Sequence, residues 1–400
     1  MPQFNPFRPA YLADPYPFLH RLREQAPVHR SADVGAWVVT TYADGLAVLQ
    51  DDANFSSDPA KPASPLGEQV RATRQAAPLG HAPLLGNSDP PEHDRLRAIV
   101  NRAFTPRAVE SFRPQVMEIV ESALAPLHAG EPREVMAGIA DLLTVVGSLN
   151  FLGIPTGEMP RFRAIAGAVL RCRTGEAAQP GVLSEGFAAA QVLTAYLHDL
   201  GPAPAEVRPD SVLATLLAAV DARQLTIDEA AMLIIHISSS GNGPTSMAIG
   251  NIIRALAEHP DQFDRLRAEP GLALATVEEG LRFDSPTHIV NRFALAPTSL
   301  RGKRVAKDDT VQVVIGAANR DPAVFDDPDR FDIARPAIRN LSFGVGIHVC
   351  LGAPLARLEL ESLVTVLSHR FRTLEIDHSA LEMGGTLLVR GPRRLVITPR

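Results

Sequence analysis

Phe343-Gly344-Val345-Gly346-Ile347-His348-Val349-Cys350-Leu351-Gly352, running on into Ala353-Pro354-Leu355-Ala356-Arg357, decides how this chain is read. It sets one cysteine among spaced glycines and passes at once into a helical pattern. Pro354 suits a first turn, and Leu355, Leu358 and Leu363 give an apolar face. A sulfur at a helix N-terminus lies where backbone N–H groups and the macrodipole favour its anion. Gly344, Gly346 and Gly352 let backbone come close to something flat and large. Taken alone, a solitary cysteine is most often a small buried hydrophobe, and a glycine-rich turn before a helix equally suits a phosphate. A phosphate loop would carry Lys-Ser/Thr after its glycines, and none follows here.

The full pattern, Phe-Gly-x-Gly-x-His-x-Cys-x-Gly followed by Leu-Ala-Arg, resembles the haem-binding loop of the cytochromes P-450, whose cysteine thiolate is the proximal iron ligand. The resemblance implies haem b (iron protoporphyrin IX) as cofactor and Cys350 as its metal ligand. It also implies Phe343, Gly344 and Gly352 as the loop against the haem, with His348 facing a propionate.

The rest of the chain is compatible with one large domain over residues 1–400. It has no Ser/Gly-rich linker, charge block or internal repeat, and 46% hydrophobic with 21% charged residues is ordinary for a globular protein. A net charge of -6 gives no reason to expect nucleic acid as a partner. Only two cysteines occur, Cys172 and Cys350, so a reducing compartment is the default. Residues 1–20, with Pro2, Pro6, Pro9, Pro15 and Pro17, hold neither a signal-peptide core nor a membrane span. A cytoplasmic, monomeric protein with no membrane partner is expected, like the soluble bacterial members of the family.

From the N-terminus, Gly35 to Thr41 reads as a short strand and Tyr42 to Leu49 as a helix. Asp58 to Leu85, rich in Pro, Gly and Ala, reads as one long irregular loop; in the family this region covers the substrate. Asn87 to Arg97 opens a helix on which His93 and Arg97 share a face. With Phe104-Thr105-Pro106 behind it, this matches the family's C-helix signature, whose His and Arg bind haem propionates through charge-assisted hydrogen bonds. Residues 108–225 alternate helical stretches, broken at Gly153-Ile154-Pro155 and Gly201-Pro202. Arg161, Arg163, Arg171 and Arg173 read first as a solvated face. In the family they fall near the substrate lid, where a cationic surface would attract an acidic or carrier-protein-bound substrate.

Thr226-Ile227-Asp228-Glu229 is a capping box, and the helix it starts runs to Glu258-His259, where Pro260 stops it. Its middle, Ser238-Ser239-Ser240-Gly241-Asn242-Gly243-Pro244-Thr245-Ser246, is a poor helix sequence, and a kink or widened turn is expected at Pro244. This resembles the family's I helix, whose usual pattern is Ala/Gly-Gly-x-Asp/Glu-Thr-Thr. Aligned on Gly250-Asn251 and His259-Pro260, Gly243 takes the place of the acid, Pro244 of the first threonine and Thr245 of the second. No Asp or Glu occurs between Glu229 and Glu258, so no shift of register restores the acid. Reductive oxygen activation consumes two protons, which a carboxylate relay and a water-positioning hydroxyl normally deliver. Ser239, Asn242 or Thr245 ordering waters, a substrate hydroxyl, or a reaction that needs no relay would each answer the departure. The family has precedents: peroxide-using members with proline at the threonine position, though paired with an arginine absent here; macrolide-acting members that use a substrate hydroxyl; and a nitric-oxide-reducing branch without the acid.

In the carboxy-terminal third, Glu279-Gly280-Leu281-Arg282 matches the family's K-helix Glu-x-x-Arg. Pro328-Asp329-Arg330-Phe331 matches the segment that completes a buried Glu-Arg-Arg network, giving Glu279, Arg282 and Arg330 a structural role. Arg292 corresponds to a further propionate partner. Thr287, His288, Ile289 and Val290 would line the substrate pocket with Leu85, Ile234 and Ser238. His288 reads as a pocket-wall or hydrogen-bonded histidine rather than an acid–base group. Val311 to Ile315 is a strand, and Gly384 to Leu388, with Thr386 and Leu387, a hairpin tip reaching the substrate.

The fold expected is mainly α with a small β region, the cytochrome P-450 fold, with haem between the I and L helices. The function expected is a monooxygenase, fed by ferredoxin and its reductase, that oxidises a medium-sized apolar intermediate of specialised biosynthesis. The alternative is a peroxide-dependent or non-oxygen-inserting enzyme (coupling, cyclisation, rearrangement), motivated by Gly243-Pro244.

Overall fold

In a computed structural model, residues 4–172, 178–201, 207–336 and 339–400 are described. Arg173 and Pro202 lie outside the described residues. The chain packs as two compact units: Met1–Phe55, Arg113–Thr144 and Gly243–Arg400 form one, and Ser56–Phe112 with Val145–Asn242 the other.

The first unit holds a mixed sheet. Strand Ala36–Val39 pairs antiparallel with Val28–Ser31 and parallel with Thr310–Val314, which in turn pairs antiparallel with Ile289–Ala294. The expected strands at 35–41 and 311–315 are therefore neighbours in one sheet. Both faces are buried, which fits the valines at 311, 313 and 314, and Gln312 between them is buried too. Val39, Val311 and Val313 pack on one side with Val48, Leu49 and Leu341, and Val38, Ile289 and Val314 on the other with Phe4, Tyr11 and Leu19. The Ala273–Phe283 helix packs on the 18-residue Ala353–Arg370 helix, which also carries Arg113–Leu124. The expected hairpin is present, Glu382–Gly385 pairing with Arg390–Arg394. Gly385 has φ +123°, and a Cβ there would stand 1.9 Å from the Val389 carbonyl oxygen, so only glycine turns this tip.

The second unit is helical. Met159–Arg171 and Val182–Leu200 pack so closely that a Cβ at Gly186 would lie 2.1 Å from Cys172 Sγ. The stretch 58–85 departs from the irregular loop expected of it, for Pro65–Ala76 is a 12-residue helix. Ser64 caps it, its Oγ accepting from Gly67 N at 3.2 Å, Pro65 enters the first turn, and Glu68 faces the positive end of the dipole. These local signals outweigh weak periodicity.

The Ile227–Glu258 helix, 32 residues long, begins as the capping box requires. Thr226 N donates to Glu229 Oε2 at 2.8 Å and Glu229 N to Thr226 Oγ1 at 3.2 Å. It stays α-helical through Pro244. No helix among the described residues is long and apolar enough to cross a membrane.

Candidate active site

The cysteine loop is shaped by its glycines. Gly344 and Gly346 have φ +66° and +75°, and a Cβ at Gly346 would meet the Leu49 carbonyl oxygen at 2.8 Å. Cys350 N donates to Phe343 O at 2.8 Å and Gly344 N to Leu341 O at 2.8 Å, which closes the turn from both ends. Val345 is anchored in the sheet-side core, while Cys350 is exposed. Arg357 stacks on the Phe343 ring at 4.5 Å and donates to Glu278 Oε1 at 2.5 Å, tying the loop to the helix that follows. Gly352 is that helix's N-cap and Pro354 lies in its first turn. Cys350 thus sits two residues before the cap, where a thiolate is favoured by the helix end.

Behind the loop, Asn319 is fully buried and joins three segments: Nδ2 donates to Ser285 Oγ (2.7 Å) and Ser342 Oγ (2.9 Å), and Oδ1 accepts from Leu341 N (2.7 Å). Arg282 donates in parallel to Glu279, Nε–Oε2 2.7 Å and Nη2–Oε1 2.8 Å, and spends its other donors on the carbonyls of Asn319, Pro328 and Arg330. The second arginine on Glu279 is Arg335, with Nε 3.2 Å from Oε2. This corrects the expectation for Arg330, whose side chain is exposed and which contributes its carbonyl to both arginines. Four residues separate the two along an irregular stretch, and only the chain path decides which one turns inward.

The expected propionate partners fall in both units. In the first, Arg292 is buried on its strand and donates Nη1 to Asn291 O at 3.0 Å, and His348 is half-buried in the Gly346–His348 turn. In the second, His93 and Arg97 lie on one face of the Glu92–Val100 helix. His93 is buried with Nδ1 2.9 Å from Asp94 Oδ1, and Arg97 Nε donates to Asn101 Oδ1 at 2.9 Å.

In the weak middle of the central helix the serine side chains bond back to the preceding turn. Ser238 Oγ donates to Ile235 O (3.0 Å), Ser239 Oγ to Ile235 O (2.7 Å) and Ser240 Oγ to His236 O (2.7 Å). Asn242 Oδ1 accepts from Ser148 Oγ at 3.0 Å, and Ser246 Oγ donates to Asp141 Oδ1 at 2.8 Å. Of the candidates for ordering water, Ser239 has its hydroxyl proton and Asn242 its amide oxygen already bonded, which leaves the Ser239 oxygen as acceptor and the Asn242 Nδ2 as donor. Thr245 is buried, and its hydroxyl makes no bond to the helix backbone among the described residues. At Gly243 an added Cβ would meet nothing within 4 Å. Pro244 has no N–H for the Ser240 carbonyl four residues back.

The expected pocket walls divide. Leu85, Ile234 and Ser238 are buried in their unit. Thr287 bridges to Val389, and His288 N donates to Leu388 O at 2.7 Å, so the hairpin tip is clamped to this strand. Thr386 Oγ1 is spent inside the tip, on the N–H groups of Leu388 and Val389. Val290 and Ile289 point to opposite faces of the sheet, and Ile289 and Leu387 pack into the N-terminal core instead of a pocket. His288 also turns away, its Nε2 lying 2.9 Å from the Tyr11 hydroxyl and its ring edge over Gly316. Burial, with the Arg390 charge nearby, pushes the imidazole down to about 3, so it is neutral at physiological pH. Of the residues that sequence reasoning missed, Asn319 had a signal in the Ala318-to-Pro322 turn, whereas Arg335 had only its place in Asp332-Ile333-Ala334-Arg335-Pro336.

The donor set fits haem. Among the described residues no group of three or more His, Cys, Asp and Glu side chains could hold a bare metal ion. Cys350 presents an exposed sulfur, and a Cβ at Gly352 would meet nothing within 4 Å, which leaves the flat approach that a macrocycle needs. Residues 199–397 match the family model described as Cytochrome P-450. The chain is 34% identical over 363 residues to erythromycin C-12 hydroxylase of Saccharopolyspora erythraea, covering 90% of this chain and 88% of that one. It is 36% identical over 381 residues to the cytochrome P-450 monooxygenase PikC of Streptomyces venezuelae, covering 93% and 88%. The crystal structure of P-450 BioI in complex with acyl carrier protein carrying hexadec-9Z-enoic acid superimposes with TM-score 0.83 at 29% identity, over 98% of this chain and all of that one. The chain therefore belongs to the cytochrome P-450 family: it is a haem-thiolate monooxygenase whose cofactor is haem b.

Proposed function

We propose that this protein oxidises a medium-sized, largely apolar intermediate of specialised biosynthesis with electrons from a ferredoxin. The observation that carries the reading is Cys350, exposed just before a long helix in a loop closed at both ends. Bound haem supplies the redox chemistry of oxygen activation. Cys350 holds the iron as thiolate, kept anionic by the helix end. Phe343, Gly344 and Gly352 bound the loop against the cofactor, and Glu279, Arg282 and Arg335 hold its far side through buried ion pairs and carbonyl contacts. Arg292 and His348, in the unit that carries Cys350, would be cation and donor for a propionate. Thr245 is the hydroxyl best able to position water near the missing acid, with Gly243 and Pro244 leaving room beside it. The relative named as erythromycin C-12 hydroxylase, and the acyl-carrier complex of P-450 BioI, support an apolar substrate, free or carrier-bound; Arg161, Arg163 and Arg171 are the surface that a carrier would meet.

Turnover of the holoprotein with ferredoxin, its reductase and a substrate found by screening tests this. Product equal to NAD(P)H consumed, with oxygen incorporated, is expected. A second reading, peroxide-driven or non-inserting chemistry, is favoured by Gly243 and Pro244, which stand where the relay's acid and threonine would be. Uncoupled reductant use together with full turnover on peroxide would establish that reading and exclude the first.

A further inference from the structure

The five-residue Pro9–Ala13 helix buries one side chain, Tyr11. A helix that short does not hold itself together in water, so its place is set by what it touches. The Tyr11 ring packs edge-to-face with Phe4 (5.7 Å between centroids), Phe18 (5.9 Å) and His288 (5.8 Å), and its hydroxyl lies 2.9 Å from His288 Nε2. Arg390, also buried, takes the other end of the helix. Its Nη1 donates to Leu12 O and its Nη2 to Ala13 O at 3.0 Å, two carbonyls of a last turn that has no intrahelical donors left for them. Both anchors also hold the hairpin tip. His288 N and Ile289 N donate to Leu388 O (2.7 and 3.3 Å), Arg390 N donates to Pro286 O (2.8 Å), and Leu387 packs in the core of Phe4 and Tyr11. Inside the tip, Thr386 N donates to Val389 O, and Thr386 Oγ1 accepts from Leu388 N and Val389 N. With those groups bonded, the tip offers an apolar side chain outward: Leu388, 39% exposed. All of these residues lie in the first unit.

We infer that Tyr11 is a positioning residue: acting through His288, with Arg390 on the helix end, it makes the Phe4–Ala13 segment a strap that fixes the 386–389 tip and so sets how Leu388 meets an apolar substrate. The inference rests on the apolar-substrate reading above and adds the element that holds one of the substrate's contacts in place. The strap depends on a directional bond. His288 is buried and its Nδ1 has no hydrogen-bond partner among the described residues, so without the Tyr11 hydroxyl both ring nitrogens lack one. Water entering between helix and strand relieves that defect and frees the tip that hangs on His288 N. An apolar ligand then meets a moving Leu388 in place of a fixed one, and loses the orientation that a rigid wall imposes.

The test compares the native holoprotein with Tyr11→Phe, which keeps the ring and removes the hydroxyl, in two measurements. Hydrogen exchange of the 386–390 amides should quicken about fivefold or more, while the Ala353–Arg370 helix exchanges as before. Ferric haem absorption is then followed during titration with imidazole and with 1-dodecylimidazole, which carry the same ligating ring and differ in a long apolar chain. Tyr11→Phe should weaken 1-dodecylimidazole about three- to tenfold, the worth of one hydrogen bond, and leave imidazole within about twofold. Arg390→Lys keeps the charge beside Asp284 but has one ammonium for two helix carbonyls. It should move the same two readouts, and it serves if Tyr11→Phe does not fold. Unchanged exchange at the tip, exchange that quickens in both segments, no change in either affinity, or a parallel loss of both overturns the inference. In the native protein 1-dodecylimidazole is expected to bind more tightly than imidazole. Equal affinities there overturn the apolar-substrate reading and this inference with it, whereas a native preference that Tyr11→Phe leaves intact confines the failure to Tyr11.

Discussion

Arg335 reaches Glu279 from 56 residues further along the chain, its Nε 3.2 Å from Oε2, and makes the second cation on a carboxylate that already binds Arg282 side-on. Glu279 and Arg282 are almost fully buried, so neither charge has water to fall back on. Arg335→Ala leaves Glu279 paired with Arg282, so what is lost is Arg335's own charge-assisted bonds to Glu279 and to the carbonyls of Asp326, Asp327 and Arg330, worth about 1.5–3 kcal/mol. Arg335→Ala is therefore expected to lower the denaturation midpoint sharply and to loosen haem retention. Arg330→Ala should stay within about 0.5 kcal/mol, since only its carbonyl is used. Urea unfolding of the two variants side by side decides it; equal losses would show that Arg330 is the true third member.

Cys350→Ala should abolish the thiolate signature in the ferrous–carbon monoxide spectrum and leave the apoprotein's stability within about 0.5 kcal/mol, because the side chain is exposed. A thiolate signature that persists in this variant would remove Cys350 as the ligand.

Glu359 is buried in the helix that follows the cysteine loop, and its Oε1 has no hydrogen-bond partner among the described residues. Burial pushes its carboxyl up to about 8 from the usual 4.5. The folded state then holds a proton that the unfolded chain gives up, so this group's contribution to stability falls as pH rises from 4.5 through 8. The slope is about 1.4 kcal/mol per pH unit inside that window. Glu359→Gln should flatten it, raising Tm at the alkaline end and changing little at the acid end. A native Tm independent of pH across the window would mean that the carboxyl has a partner.

Gly243→Asp combined with Pro244→Thr restores the acid and alcohol that the central helix lacks. Positioned proton transfer contributes about 10²–10⁴-fold to such steps. The double variant should return several-fold more product per NAD(P)H and leak less peroxide. Unchanged leakage would show that the native site has its own proton route, with Thr245 as the first residue to replace by Val.

Much of the fold could be read locally because its signals are local. The capping box at Thr226 and Glu229, the stop at Pro260, and the valine-rich stretches at 36–39 and 311–314 each act within a few residues. The Pro65–Ala76 helix was equally legible from Ser64, Pro65 and Glu68, but a low apolar periodicity concealed it.

The sequence by itself determined the cysteine loop, because positive φ at Gly344 and Gly346 and a helix start after Gly352 are demands on single residues. It determined the pairing of Glu279 with Arg282 too, since three residues on a helix make neighbours. Tertiary structure decided the choices between near-equivalent residues. Arg335 rather than Arg330 turns to Glu279 because the chain path after Phe331 presents it. His288 leaves the pocket because Tyr11, 277 residues away, offers its hydroxyl. The Ser239 proton goes to the preceding helix turn and the Asn242 amide oxygen to Ser148. Which hydrogen bond a side chain makes depends on what the fold brings within about 3 Å, and sequence spacing sets that only inside one element.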